Sequence, residues 1–142
     1  MTHPLEQNNF RIFSIMATKR LNLTEVETGN NVGWYVASQA MFTGTIKLVD
    51  EKGTALAEVE KTSRDQSYMV LGNGQFDFYG KSLHLDIEIY ESNEIRQSIA
   101  SNSITDSNAN KVGQIYSFCI EDQGDEDYND FYINISAWSR KG

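Results

Sequence analysis

Six of the ten residues from Glu121 to Asp130 are acids, in the order Glu-Asp-Gln-Gly-Asp-Glu-Asp-Tyr-Asn-Asp. Carboxylates at this density repel each other unless a cation neutralises them. A hard divalent ion such as Ca2+ takes about six to eight oxygen ligands, many of them from Asp and Glu. Asp125, Asp127 and Asn129 stand at alternate positions, so a curled loop can direct several oxygens to one centre. The segment, called the acid-rich segment below, therefore predicts a calcium-binding loop.

Two alternatives compete with this interpretation. An EF-hand that begins at Asp125 needs Gly at its sixth position and Glu at its twelfth, where this chain has Asp130 and Ser136. The residues that follow also alternate as a strand does, which excludes the EF-hand. A solvated acidic turn is the second alternative, because runs of charge usually lie at the surface.

The acidity is concentrated in this one segment. The chain has a net charge of −8, of which the six acids supply −6, so only −2 remains for all other residues. A chain without a basic stripe is a poor candidate for binding nucleic acid. Cys119 is the single cysteine, so an internal disulfide is impossible, and its apolar neighbours predict a buried structural thiol.

The sequence carries no recognisable targeting or catalytic motif. Residues 1–10 have no signal-peptide core, and no apolar run approaches the about 20 residues of a membrane span. We therefore expect a cytoplasmic protein without a signal peptide, whose release or display at the cell surface would need a non-classical route. No nucleophile, phosphate-binding or dinucleotide motif is present, and the chain is predicted not to be an enzyme.

The elements that position the acid-rich segment alternate with a period of two. Between Ser82 and Tyr90 the apolar residues are Leu83, Leu85, Ile87 and Ile89, which is typical of a half-buried antiparallel strand. Residues 1–10 are predicted to be a flexible arm and residues 11–142 a single domain. Together the pattern predicts an all-β fold, an antiparallel β-sandwich of about nine short strands with the calcium loop near the C-terminus. The other predicted strands are Arg11–Ile15, Leu21–Val26, Gly33–Val36, Thr45–Val49, Leu56–Val59, Tyr68–Leu71, Gln75–Phe78, Ile115–Ile120 and Phe131–Ile135.

The acid-rich segment resembles the signature of the calcium-dependent fucose- and mannose-binding bacterial lectins, E-D-x-x-D-x-D-Y-N-D. The match continues in a following strand, Trp138 and the terminal Gly142. The resemblance implies a lectin that binds fucose- or mannose-type sugars through two calcium ions, which coordinate the sugar hydroxyls directly. It also implies a homodimer or higher homo-oligomer. The residues that match the signature are Glu121, Asp122, Asp125, Asp127, Tyr128, Asn129 and Asp130.

The resemblance also implies a role for each matching residue. Asp122 would hydrogen-bond the sugar, and the terminal carboxylate of Gly142 would come from a partner subunit. The metal ligands would be Glu121, Asp125, Asp127, Asn129, Asp130 and Gly142. The sugar would be bound by Asp122, Asp125, Asp127, Asn129 and Asp130 together with an early loop.

Two alignments of that early loop are possible. One places it at Ser38-Gln39-Ala40, and the other at Asn30-Asn31-Val32-Gly33. We favour the first, in which Ser38 and Gln39 border the sugar, because the run from Val36 to Val49 is then continuous. Both differ from the family pattern, which leaves the preferred sugar open. A calcium-stabilised structural or adhesion module without sugar binding is the alternative function.

Overall fold

The computed structural model describes residues 16–92, 94–122 and 131–139 and contains nine strands and no helix within these ranges. No helix capable of crossing a membrane is therefore found there. The predicted arm and the strand predicted for Arg11–Ile15 lie outside the described residues. The strands are β1 Ala17–Asn22, β2 Asn31–Ser38, β3 Gly44–Asp50, β4 Ala55–Lys61, β5 Met69–Asp77, β6 Leu83–Ile89, β7 Ile95–Thr105, β8 Lys111–Asp122 and β9 Phe131–Trp138.

The strands form two antiparallel sheets packed face to face. One sheet has the order β1-β6-β3-β4, and the other has the order β5-β2-β9-β8-β7. All the strand pairs within both sheets are antiparallel. The predicted all-β sandwich is therefore confirmed.

The core lies between the sheets and is built from the alternation seen in the sequence. In β6 the residues Leu83, Leu85, Ile87 and Ile89 are buried, while the residues between them are half-buried on the outer face. In the opposite sheet β9 supplies a matching buried row, Phe131, Ile133, Ile135 and Ala137. Removing such apolar side chains from water contributes roughly 1.5–3 kcal/mol for each large residue.

The strand predicted for Leu21–Val26 is misplaced. β1 ends at Asn22, and the chain then turns, with the Val26 amide donating to the Leu23 carbonyl at 3.1 Å. Leu23 and Val26 are nevertheless buried. Their apolar character in the sequence reflects a turn that covers the end of the core rather than a strand.

The two strands predicted for Tyr68–Leu71 and Gln75–Phe78, with Gly72-Asn73-Gly74 between them, are in fact one strand, because β5 runs from Met69 to Asp77. The indole of Trp34 on β2 lies against both glycines. A Cβ at Gly72 would lie 3.3 Å from the Trp34 ring, and one at Gly74 would lie 3.2 Å from it. The glycines therefore make room for the indole inside a strand.

Strand β7 was not predicted at all. It lies at the edge of the five-stranded sheet, and most of its side chains are exposed. Its sequence is rich in Ser, Asn and Gln and lacks apolar alternation, so it gave no signal with a period of two.

The expectation for Cys119 needs correction as well. Its neighbours on β8, Phe118 and Ile120, point into the core, so the alternation turns Cys119 to the outer face, where it is half-buried. A small apolar residue between core residues is not itself a core residue when the strand alternates.

Candidate functional site

The acid-rich segment begins with the last two residues of β8 and ends just before β9, and the end of β2 lies beside the start of β9. Ile120 on β8 pairs with Phe131 on β9, and Phe131 pairs on its other side with Ser38, the last residue of β2. Both ends of the segment are thus fixed on adjacent strands of one sheet. Loops held by a rigid scaffold in this way commonly carry binding residues.

Only part of the predicted site falls within the described residues. Glu121, Ser38 and Gln39 are described with their side chains, and Asp122 is described as the last backbone position of β8. The remaining predicted ligands lie outside the described residues: Asp125, Asp127, Asn129, Asp130 and Gly142.

Glu121 brings to this end of the sheet a carboxylate oxygen that has no hydrogen-bond partner among the described residues. Its Oε1 is buried and accepts no hydrogen bond from the described residues. Arg96 lies opposite Glu121 in the pairing of β7 with β8, but the Arg96 guanidinium faces Glu94 at 3.6 Å instead. A carboxylate oxygen removed from water needs a cation or a donor.

Ser38 also has a buried side-chain oxygen without a hydrogen-bond partner among the described residues, and it is more deeply buried than Glu121. Its side chain is fully buried, and its Oγ has no hydrogen-bond partner among the described residues. Gln97 on β7 pairs with Ile120, so Gln97, Ile120, Phe131 and Ser38 form one row across four strands. The Oε1 of Gln97 is likewise buried without a partner.

Oxygen atoms that lack hydrogen-bond donors therefore collect at one end of the sandwich. Within the described ranges the three such buried side-chain atoms are those of Ser38, Gln97 and Glu121, in the last two paired rows at this end of the sheet. Ser38 and Gln97 are three strands apart in the row that faces the core, whereas Glu121 is on the outer face. Oxygens are the donors that a hard cation such as Ca2+ prefers. Glu121 Oε1 is the charged one of these three oxygens, so the fit to calcium rests on Glu121 and on the acids that follow it in the sequence. Residues 16–92, 94–122 and 131–139 alone contain no cluster of three acidic, histidine or cysteine ligands.

The structure also separates the two possible early loops. Ser38 and Gln39 lie beside Phe131, at the acid-rich end. Asn31, in the competing alignment, pairs with Trp138 at the opposite end of β9. Only the first alignment places the early loop next to the acid-rich segment.

A tyrosine cluster beside this end of the sheet was missed by the sequence analysis. The Tyr68 ring stacks on that of Tyr132, with centroids 6.2 Å apart and planes inclined by 24°. The hydroxyl groups of Tyr68 and Tyr35 lie 2.7 Å apart in a hydrogen bond, which raises the pKa of Tyr35. Tyr132 donates to Gln39 Oε1 at 3.4 Å. The three tyrosines are far apart in the sequence, so no local pattern reveals them.

A buried lysine lies in the four-stranded sheet. Lys61, the last residue of β4, pairs with Gly44 at the start of β3, and its amine donates to the Ser63 carbonyl. Burial lowers the pKa of Lys61, while the charge of nearby Asp65 opposes that change. A protonated amine has no free lone pair for a metal ion, so Lys61 is excluded as a ligand in that state.

The depressions on the four-stranded sheet do not belong to this site. One, of about 430 Å3, is lined by residues that include Thr18, Arg20, Lys47 and Asp86. Two of its charged side chains already neutralise each other, because Arg20 and Asp86 form an ion pair with two hydrogen bonds of 2.7 Å. It is an exposed charged surface, and none of the described residues that line it has a buried side-chain nitrogen or oxygen without a hydrogen-bond partner.

Comparison with known proteins identifies both the fold and the family. The family described as fucose-binding lectin II (PA-IIL) matches residues 24–139. No curated protein sequence gives a match. The fold is shared with the C-terminal domain of a Burkholderia cenocepacia lectin, with a TM-score of 0.63 at 16% identity over 89% of this chain and 100% of that one.

Two further solved structures share the fold. A high-affinity mannose-binding lectin from Ralstonia solanacearum has a TM-score of 0.57 at 17% identity, covering 82% of this chain and 94% of that one. A Chromobacterium violaceum lectin in complex with alpha-methyl-fucoside has a TM-score of 0.55, with the same identity and coverage. The family match extends over most of the sequence and confirms the resemblance drawn from the acid-rich segment. This chain belongs to the fucose-binding lectin II (PA-IIL) family.

Proposed function

We propose that this protein is a calcium-dependent lectin that binds fucose- or mannose-type sugars at the acid-rich end of its five-stranded sheet. Family membership supports carbohydrate binding. Two proteins of the same fold carry matching descriptions, one as a mannose-binding lectin and one in complex with a fucoside. The protein acts by binding and leaves the sugar chemically unchanged.

The observation that carries the calcium part of this proposal is the buried Glu121 oxygen that has no hydrogen-bond partner among the described residues. Glu121 is the first of the six acids in the acid-rich segment, and Ser38 ends the neighbouring strand β2. Left without a cation, buried polar atoms of this kind cost on the order of 1–3 kcal/mol each. A bound cation offsets that cost for Glu121 and relieves the repulsion among the neighbouring acids.

In this proposal the chain's own residues divide the work. Two calcium ions would be held by Glu121, Asp125, Asp127, Asn129 and Asp130, and when bound they supply coordination positions for paired sugar hydroxyls. Asp122 would accept a hydrogen bond from the sugar, and Ser38 and Gln39 would border it. The sandwich keeps both halves of the site in register, because β2 and β9 are paired along their full length.

Gly142 can complete the site only from a partner subunit. β9 spans seven residue steps from Phe131 to Trp138, which is about 23 Å. Four residues follow Trp138, and fully extended they reach at most about 14 Å. Gly142 therefore cannot return to the acid-rich end of its own chain. We accordingly propose a two-fold dimer in which the copies run in opposite directions and exchange C-termini.

Isothermal titration with methyl α-fucoside and methyl α-mannoside tests this proposal. We expect saturable binding in calcium, its loss after EDTA and its return when calcium is restored, with methyl β-galactoside as the control sugar. Recovery of chemically unchanged sugar would exclude turnover. Calcium binding without any response to either sugar would favour the calcium-stabilised module instead. Sugar binding that persists in EDTA would contradict the metal-dependent mechanism.

A further inference from the structure

The tyrosine cluster of Tyr35, Tyr68 and Tyr132 presents an aromatic face to solvent. Tyr68 is 54% exposed, although one face of its ring stacks on Tyr132. An exposed tyrosine is ordinarily free to rotate. Here the stacking and the hydroxyl contact with Tyr35 hold the ring at both its face and its tip.

The cluster is continuous with the proposed sugar site. Tyr132 is the second residue after the acid-rich segment, and it lies between Ala37 on β2 and Cys119 on β8. Cys119 and Glu121 are two positions apart on β8 and therefore share its outer face. The Tyr132 hydroxyl reaches Gln39, which borders the same end of the sheet. A ligand that leaves the acid-rich end along this face meets the tyrosines next.

The chemistry of this surface fits a pyranose ring. One face of a pyranose carries mainly C–H groups and packs on an aromatic ring, while its hydroxyls reach polar atoms at the rim. Tyrosine offers both an apolar ring and a polar tip, and a ring that is already held loses little entropy on binding. A charged side chain beside the rings would disfavour such stacking. The neighbouring side chain on β5 is that of Val70, which pairs with Ala37, is uncharged and is 50% exposed.

We propose that the tyrosine cluster is a second saccharide subsite, which takes the ring linked to the sugar in the calcium-dependent site. The ligand class is then a short fucose- or mannose-containing oligosaccharide rather than a monosaccharide. This subsite rests on the proposed lectin function, because its occupant is tethered to the sugar bound there. Such a tether makes even a weak contact effective, since the second ring binds from a high local concentration.

Three variants separate stacking from other effects. Tyr68→Ala removes the exposed ring, and Tyr68→Phe keeps the ring but removes the hydroxyl that meets Tyr35. Tyr79→Ala is the matched control, because Tyr79 is 71% exposed and follows β5 at the end of the sheet opposite Ser38. Each variant is titrated with a methyl glycoside and with a panel of disaccharides that end in the same sugar.

We expect the unmodified protein to bind at least one disaccharide about tenfold more tightly than the methyl glycoside. Tyr68→Ala should lose that gain and change methyl glycoside affinity less than about twofold. Tyr68→Phe should keep most of the gain, and Tyr79→Ala should keep all of it. Sedimentation velocity should give the same assembly for every variant.

Several results would overturn the subsite. One is that no disaccharide binds more tightly than the methyl glycoside. Another is that Tyr68→Ala weakens the binding of the methyl glycoside and of the disaccharide equally. A third is that Tyr68→Ala changes the assembly, which would assign Tyr68 to a subunit contact. Failure of the proposed function is distinct, because the unmodified protein would then bind no methyl glycoside at all, and the subsite would fall with it.

Discussion

Ser38 and Phe131 lie directly opposite each other in the antiparallel pairing of β2 with β9. Both are buried, and each stands at the end of its strand nearest the acid-rich segment. This pair fixes an early loop against a late one, although the two are distant in the sequence. The composition of the proposed site is thus set by strand register, because a slip of one residue would turn every side chain to the other face.

Glu121→Gln should have opposite effects on stability with and without calcium. Without calcium the change removes a carboxylate whose buried oxygen lacks a donor, so the melting temperature should rise. With calcium it would remove a proposed charged ligand, so the stabilisation by the ion should shrink. A ligand at about 100 times its Kd contributes about 2.7 kcal/mol. Thermal melts in EDTA and in calcium measure both effects.

The matched control for that experiment is Glu58→Gln. Glu58 is an exposed acid on the outer face of β4, in the other sheet, so neither melting temperature should change appreciably. A calcium-induced shift that is equal in Glu121→Gln and unmodified protein would remove Glu121 from the ligand set.

Asp122→Ala should weaken sugar binding and leave calcium affinity nearly unchanged. The resemblance assigns this carboxylate to the sugar, and the loss of a charge-assisted hydrogen bond costs roughly 1.5–3 kcal/mol, or about one to two decades in Kd. Calcium and sugar titrations of the same preparation provide the measurement. Equal losses for both ligands would place Asp122 among the metal ligands.

Gly72→Ala should destabilise the sandwich because of packing. A Cβ at this position would lie 2.7 Å from Val59 Cγ1 and 3.3 Å from the Trp34 ring, so side chains from both sheets must move. Overpacking of this kind typically costs about 1–3 kcal/mol, which urea denaturation can measure. Asn73→Ala is the control, because Asn73 is exposed and should change stability by less than about 0.5 kcal/mol. Equal stability of the two variants would show that Trp34 adapts without cost.

The fold was predictable from sequence wherever burial alternates cleanly. Leu83 to Ile89 is the best example, because each second residue is buried exactly as the period requires. The prediction failed where tertiary contacts override local signals. Trp34 keeps Gly72 and Gly74 in a strand despite their usual role as breakers, and β7 forms at an edge where neither face needs an apolar row.

The proposed site was predictable only in its local part. Six acids fall within ten consecutive residues, so their clustering is visible without a structure. The nearness of Ser38 follows from the register of β2 on β9, which the sequence left between two alignments. The contacts among Tyr35, Tyr68 and Tyr132 join three strand regions and have no local signature.

A residue appended after Gly142 should weaken both sugar binding and dimerisation. In the proposed dimer the extension would convert the Gly142 carboxylate into a neutral amide and so remove a negative ligand from the proposed calcium site of the partner subunit. Glycine has no side chain, which lets that carboxylate approach a crowded site. Because the four residues that follow Trp138, up to Gly142, cannot span the length of β9, the proposed contact joins two subunits and the two losses should occur together. Titration calorimetry and sedimentation velocity measure them, with the same extension placed before Met1 as the control. If the C-terminally extended protein binds sugar and dimerises as well as the control, the two copies of the chain do not exchange their C-termini.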